Sequence, residues 1–198
     1  MTERAQYPHR QAMRVAMAIA DELRPACERI EIAGSLRRRR PFVHDIDLVV
    51  IPRVVRVPGP QGGLFDGHDM IDQRVIDLRL QEHQSEGRLT DLHLADKIIK
   101  FTAASSGIPV DIYLAKESTW GTLLLIRTGS KEHNIELAQR TRRRGFILKA
   151  DGTGLIDLRS GKPAGAFRDE NNLFRFLGLS YIPPEDRDLA HEAEEGAL

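Results

Sequence analysis

The sequence predicts an α+β fold, and three observations carry that prediction. Strand-like stretches show the two-residue alternation of a half-buried sheet: Asp45-Ile46-Asp47-Leu48, and KIIKFTA (97–103) followed, after a Ser105-Ser106-Gly107 turn, by Val110 to Leu114. Apolar residues at helical spacing precede them, at Ala12, Val15, Ala16, Ile19, Ala20 and Leu23. Two helical stretches with capping residues, ending at Arg127 and Arg144, follow them.

In chain order, the first helix runs from about His9 to Ala26, with Pro25 where its pattern fades, and it is expected to pack beneath a strand at 29–33. Cys27, the single cysteine, falls at the expected helix end and has no partner for an internal disulfide, which fits a packing role. A Gly34-Ser35 turn then opens the basic run Arg37 to Arg40, and a second strand follows through Val50. Glycines and prolines between Pro52 and Gly67 are too dense for regular structure, so a loop is expected there. A helix from Asp69 to Gln84 is expected next, with Ile71, Val75 and Leu78 on one stripe and Asp69 and Asp72 at its N-terminus. Ser118 or Thr119 starts the next helix and Ser130 the one after, which Gly145 stops; Thr128-Gly129-Ser130 links them tightly. A small hairpin over 146–156, turning at Asp151-Gly152, and a helix near Asn171 to Leu177 complete the reading. Order is expected to end at Pro183-Pro184, with a mobile acidic tail after Asp188.

The chemistry concentrates between Ile30 and Ile51. Residues two apart on a strand share a face, so Asp45 and Asp47 set two carboxylates side by side while Ile46, Leu48 and Val50 face the core. Such a pair repels itself unless a divalent cation neutralises it, and hard oxygen donors suit Mg²⁺. Gly34 allows a sharp turn and close approach to a ligand, while the following amides, the Ser35 hydroxyl and the arginines can donate to phosphate. A solvated basic turn beside an edge strand is the bland alternative, and it leaves two same-face aspartates unpartnered. Asp111 and Tyr113 share a face of the hairpin partner, from which a third carboxylate can converge on the first two.

The 198 residues hold 29 Lys+Arg against 29 Asp+Glu, so the formal net charge is zero. Bases cluster at Arg37 to Arg40 and at Arg140, Arg142, Arg143 and Arg144, while acids crowd the stretch from Glu185 to Glu195. Local fields outweigh that sum. The second arginine cluster either complements its helix dipole or contacts phosphate. No apolar run approaches the roughly 20 residues that span a bilayer, and MTERAQYPHRQ has no signal-peptide core, so a cytoplasmic protein without membrane contact is expected.

GSLRRRRPFVHDID resembles the nucleotidyltransferase signature in the form used by family X DNA polymerases, the group of DNA polymerase beta and the bacterial X-type repair polymerases. GIPVDIYLA (107–115) is similar to the strand bearing that family's third aspartate, RTGSKEHNIELAQRTRRRGFIL (127–148) to its thumb, and FRFLGLSYIPPEDR (174–187) to its closing segment. The resemblance implies a nucleotidyltransferase palm at 1–117, built as a mixed sheet flanked by helices, and a small α/β thumb at 118–198. It implies a DNA-directed DNA polymerase acting in gap filling or repair on primer-template or gapped DNA, with deoxynucleoside triphosphates as substrates and Mg²⁺, or Mn²⁺, as cofactor. A template-independent or small-molecule nucleotidyltransferase is the alternative, since the core motif is widely shared.

Residue by residue, Asp45, Asp47 and Asp111 would be catalytic metal ligands, and Gly34, Ser35 and Arg38 would hold the triphosphate. Thr128, Gly129 and Ser130 would lie along the sugar, with Asn134 at the base edge. Three positions depart from the family pattern: His44 where a small residue is common, Ile126-Arg127 where an aromatic pair is usual, and Ala138 where polymerase beta has a longer residue. The resemblance covers palm and thumb without lyase or exonuclease domains, which implies no lyase activity and leaves room for a protein partner to help grip DNA.

Overall fold

The structure, a computed structural model, describes residues 4–58, 70–149, 151 and 154–188. A short strand β1 (Tyr7–Pro8) leads into α1 (His9–Leu23), a 3₁₀ turn at Arg24–Ala26 and strand β2 (Cys27–Ile32). A one-turn helix α2 (Gly34–Arg37) stands where the Gly-Ser turn was expected, followed by β3 (Phe42–Val43), which pairs with β1, and by β4 (Ile46–Pro52). Alanines 12, 16 and 20 are buried along α1, and these small side chains let the helix sit close to the sheet.

Two expectations fail in the next stretch. Residues 54–58 are not loop but strand β5 (Val54–Pro58), paired antiparallel with β6 (Met70–Arg74), and the helix begins only at α3 (Val75–Ser85). Val54-Val55-Arg56-Val57 has strand propensity that the Gly/Pro density after it concealed, and its pairing partner lies beyond that interruption. Asp72 is therefore in a strand rather than at a helix N-terminus, and α3 buries Ile76, Leu80 and His83 while Leu78 is exposed. The remainder of the expected loop, and Asp69, lie outside the described residues.

Strands β7 (Leu89–Leu94), β8 (Ile98–Ala103) and β9 (Ile108–Leu114) complete a five-stranded mixed sheet in the order β2-β4-β9-β8-β7. Only the central pair, β4 with β9, is parallel. One face, carrying Ile46, Leu48, Val50, Val110 and Ile112, packs on α1 and α3. Cys27 is buried in the same core, at the start of a strand rather than at a helix end, and burial pushes its thiol up to about 11, which keeps it unreactive.

Helix α4 (Trp120–Thr128) covers part of the other face, where Trp120, Leu123 and Leu124 meet Ala33, Val49 and Ile51. Thr119 precedes α4, but its hydroxyl bonds to Lys116 instead of capping the helix. Helix α5 (Lys131–Arg143) is capped by Ser130, whose hydroxyl accepts from the His133 amide. Its last turn carries exposed Arg142 and Arg143, while Arg140 pairs with Glu136. The hairpin β10 (Phe146–Lys149) with β11 (Gly154–Asp157) and helix α6 (Glu170–Phe176) build a separate core around Leu137, Leu155, Leu173 and Phe174. Order continues past Pro183-Pro184: Pro184–Asp186 form a 3₁₀ turn and Arg187 is wholly buried. The acidic tail beyond Asp188 lies outside the described residues. Among them, no helix is long and apolar enough to cross a membrane.

Candidate active site

Strand register brings the aspartates together. In the parallel β4–β9 pair Asp47 lies directly opposite Asp111, and on β4 it shares a face with Val49 and Ile51, at the strand start where the α4 cover ends. Asp45 sits just ahead of the strand, half-buried. Burial, then repulsion from Asp45 and Asp111, raises the Asp47 carboxyl from 3.8 to about 7, with a hydrogen bond from Tyr113 and the charge of Arg127 acting in the opposite sense. Gly34 is wedged against this group: its φ is +60°, and a Cβ there would stand 1.9 Å from Asp47 Oδ2. Only glycine fits.

Asp111 does not face its neighbours unaccompanied. Lys100, its partner in the antiparallel register of β8 and β9, places Nζ 2.6 Å from Asp111 Oδ2, and the Tyr113 hydroxyl donates to the same oxygen at 3.4 Å. Arg127 stacks over the Tyr113 ring, 4.0 Å from its centroid. Among the described residues no group of three His, Cys, Asp or Glu is already gathered as metal ligands. With Asp111 turned to Lys100, the three carboxylates converge on one region without closing on one point. Their chemistry still fits a divalent cation: the donors are oxygens, and Asp47, raised first by burial and then by repulsion from Asp45 and Asp111, carries a charge that such a cation would relieve.

A cavity of about 960 Å³ opens beside them, lined among others by Gly34, Ser35, Arg38, Asp45, Asp47, Thr128, Gly129 and Asn134. Ser130 is not in its lining; the Ser130 side chain is buried, capping α5 and donating to the Arg187 carbonyl at 3.4 Å. Arg38 is held on two sides, by the Thr128 carbonyl through Nη1 and by Asp188 through Nε at 3.1 Å. Asn134 donates to the Ile126 carbonyl at 2.8 Å. His44 lines the cavity and bonds the Ala5 carbonyl, and Ile126, Arg127 and Ala138 line it too.

The basic run is less uniform than its sequence. Arg37 bonds Thr128 Oγ1 at 2.7 Å and Glu170 at 2.6 Å, so it is a structural tie between α2, α4 and α6. Arg39 and Arg40 lie within 3.6 Å of Glu185 and 3.7 Å of Asp188. The acids at 185 and 188 are therefore folded back onto the bases, which sequence reading set far apart. It also missed Lys100, although the hairpin turn carried the signal: pairing Ala103 with Ile108 places Lys100 opposite Asp111.

Comparison with known proteins bears on the fold and on the family resemblance. The family model described as DNA polymerase beta thumb matches residues 123–188. The DNA polymerase/3′-5′ exonuclease PolX of Bacillus subtilis (strain 168) is 27% identical over 190 residues, covering 95% of this chain. The chain spans only 30% of that relative's length. A crystal structure of Leishmania infantum polymerase beta, titled a ternary P/T complex, matches with a TM-score of 0.68 at 20% identity, over 93% of this chain and 77% of that one. The α+β fold of this chain is similar to that of polymerase beta, and the chain resembles family X polymerases in its thumb-matching segment and along most of its length.

Proposed function

We propose that this chain transfers a nucleotidyl group from a deoxynucleoside triphosphate to the 3′-hydroxyl of a DNA primer, releasing pyrophosphate, as a DNA-directed polymerase in gap filling or repair. The observation that carries the reading is the in-register pair Asp47 and Asp111, of which Asp47 lines the larger cavity with Ser35 and Arg38 and Asp111 lines the smaller one. In this reading residues 1–117 form the palm and 118–198 the thumb. Asp45, Asp47 and Asp111 would hold Mg²⁺ or Mn²⁺, which supplies charge stabilisation to the attacking and leaving oxygens.

The chain's own residues do the rest. Gly34 and Ser35 present donors to the triphosphate, and Arg38, fixed by Asp188 and Thr128, offers its remaining N–H groups to the β and γ phosphates. Thr128 and Gly129 run along the sugar, with Ser130 fixing the backbone behind them, and Asn134 offers its second amide hydrogen to the base edge. The primer oxygen attacks the α-phosphorus, its proton passes to Asp111, and the bond from the α-phosphorus to the β-phosphate oxygen breaks.

Primer extension on gapped DNA tests this. Wild type should extend only with Mg²⁺ or Mn²⁺, and Asp111→Ala should lose at least about 1000-fold in kcat while still binding nucleotide. Near-wild-type extension by that variant would sink the mechanism, and equal extension without a template strand would favour a template-independent transferase.

A further inference from the structure

A second, smaller cavity of about 320 Å³ lies on the other side of the carboxylates; Arg4, His44 and Asp45 line both cavities, and Lys100, Thr102 and Asp111 line the smaller one. We propose that Lys100 is the phosphate-binding residue of an acceptor-strand subsite in this cavity, gripping the backbone linkage next to the 3′ end. The proposal rests on the nucleotidyl-transfer reading, which it deepens.

In-line displacement requires the attacking hydroxyl to approach the phosphorus from the side opposite the leaving pyrophosphate. With the triphosphate beside Ser35 and Arg38, that side is the one bounded by Asp111, hence the smaller cavity. Its wall carries the carboxylates of Asp45, Asp91 and Asp111, and its cationic lining residues are Arg4 and Lys100. A nucleic-acid end entering there brings its own negative charge, and Lys100 and Arg4 are the side-chain cations of this lining that offset the carboxylates.

Lys100 is placed to answer that need. Its side chain is 51% exposed and its bond to Asp111 is a solvent-facing ion pair, which costs little to exchange. A divalent cation held by Asp111 would compete with the ammonium for that oxygen, and the flexible four-carbon stem would let Lys100 swing to a phosphate while β8 keeps its base fixed. Thr102, two residues along and on the same face of β8, adds a hydroxyl donor. The same lysine thus neutralises Asp111 in the resting site and binds the acceptor in the loaded one.

The test uses a primer-template whose primer ends in a dideoxynucleotide, so that no transfer occurs, with either a native or a charge-neutral methylphosphonate linkage next to that end. Binding is read by fluorescence anisotropy in Mg²⁺ for wild type, Lys100→Met and Lys100→Arg. Each single change, methylphosphonate with wild type or Lys100→Met with native DNA, should weaken binding about 10-fold, and the two combined no further. Lys100→Met should lower the salt slope by about one phosphate contact, and Lys100→Arg should restore most of the affinity. Additive losses, or unchanged binding of native DNA by Lys100→Met, would show that Lys100 only neutralises Asp111 and would overturn the proposal. Wild type that shows the expected coupling but extends no primer would instead overturn the polymerase reading and leave the subsite standing.

Discussion

Burial and two neighbouring carboxylates hold Asp47 near neutrality, at about 7, whereas in an unfolded chain it ionises near 3.8. Between those values the folded state binds the extra proton, so this residue's contribution to stability falls as pH rises and its full penalty is present above about 7. Asp47→Asn should therefore raise the unfolding temperature at pH 8 in metal-free buffer, by roughly 2–4 °C for each kcal/mol relieved, and leave it unchanged near pH 4. Melts at both pH values check this; a variant less stable at pH 8 would mean that Asp47 is compensated by its neighbours. Gly34 is bound to the same carboxylate by sterics alone. Gly34→Ala adds a Cβ at a φ of +60° and pushes Asp47 aside, and a displacement near 1 Å should cost about 100-fold in kcat, measured by single-turnover extension.

At the scale of elements, α2 is held in place by a buried clasp. Glu170, at the start of α6 and 3% exposed, takes Arg37 on one oxygen at 2.6 Å and Arg187, 0% exposed, on the other at 2.9 Å. Helix α6, the last described turn of chain and the cavity-lining turn of α2 are therefore one mechanical unit. Breaking a buried pair from one side strands the other charge. Glu170→Ala should destabilise the fold by about 3–5 kcal/mol, read as a lower urea midpoint, and Glu170→Gln should cost less because one arginine keeps an amide oxygen, although the other then faces the amide NH2. Equal midpoints for wild type and Glu170→Ala would mean the clasp is only a contact.

Across the whole molecule, α4 joins two cores: Trp120 and Leu124 seat it on the sheet, while Leu125 belongs to the core built by α5, α6 and the β10–β11 hairpin. Gly121 lets it lie against the chain at 167–169, where a Cβ would stand 2.6 Å from the Phe167 carbonyl oxygen. Thus the cavity wall at Thr128 is referenced to both cores. The β5–β6 ribbon, by contrast, projects from a neck closed by the Val75 amide on the Arg53 carbonyl at 2.9 Å. Replacing residues 54–74 with a short Gly-Ser link should shift the unfolding temperature by less than about 3 °C, because short closures cost little entropy, and should leave extension intact. A loss of transfer in a folded variant would assign the ribbon a part in substrate binding.

The Ile46-Asp47-Leu48 alternation, the Asp111 strand, the Ser130 cap and the small hairpin were all legible in the sequence, because each depends on periodicity or on partners within a few residues, whereas Asp45, expected in the same strand, sits just ahead of it. Strand β7 and the ribbon were not, since each is decided by a partner strand that local pattern does not name. The buried Ile76-Leu80-His83 stripe of α3 was hidden by an apolar Ile71 that belongs to β6. The site divides the same way. Its three aspartates and Ser35 announced themselves as residue types in a motif, whereas the separate duties of the four consecutive arginines did not. Arg37 is committed to Glu170, 133 positions away, and Arg38 to Asp188, 150 positions away. Equal charges in one run become a tie between helices and a cavity-lining side chain only when the folded chain brings different carboxylates to each, and long-range electrostatic pairing of that kind leaves no local trace.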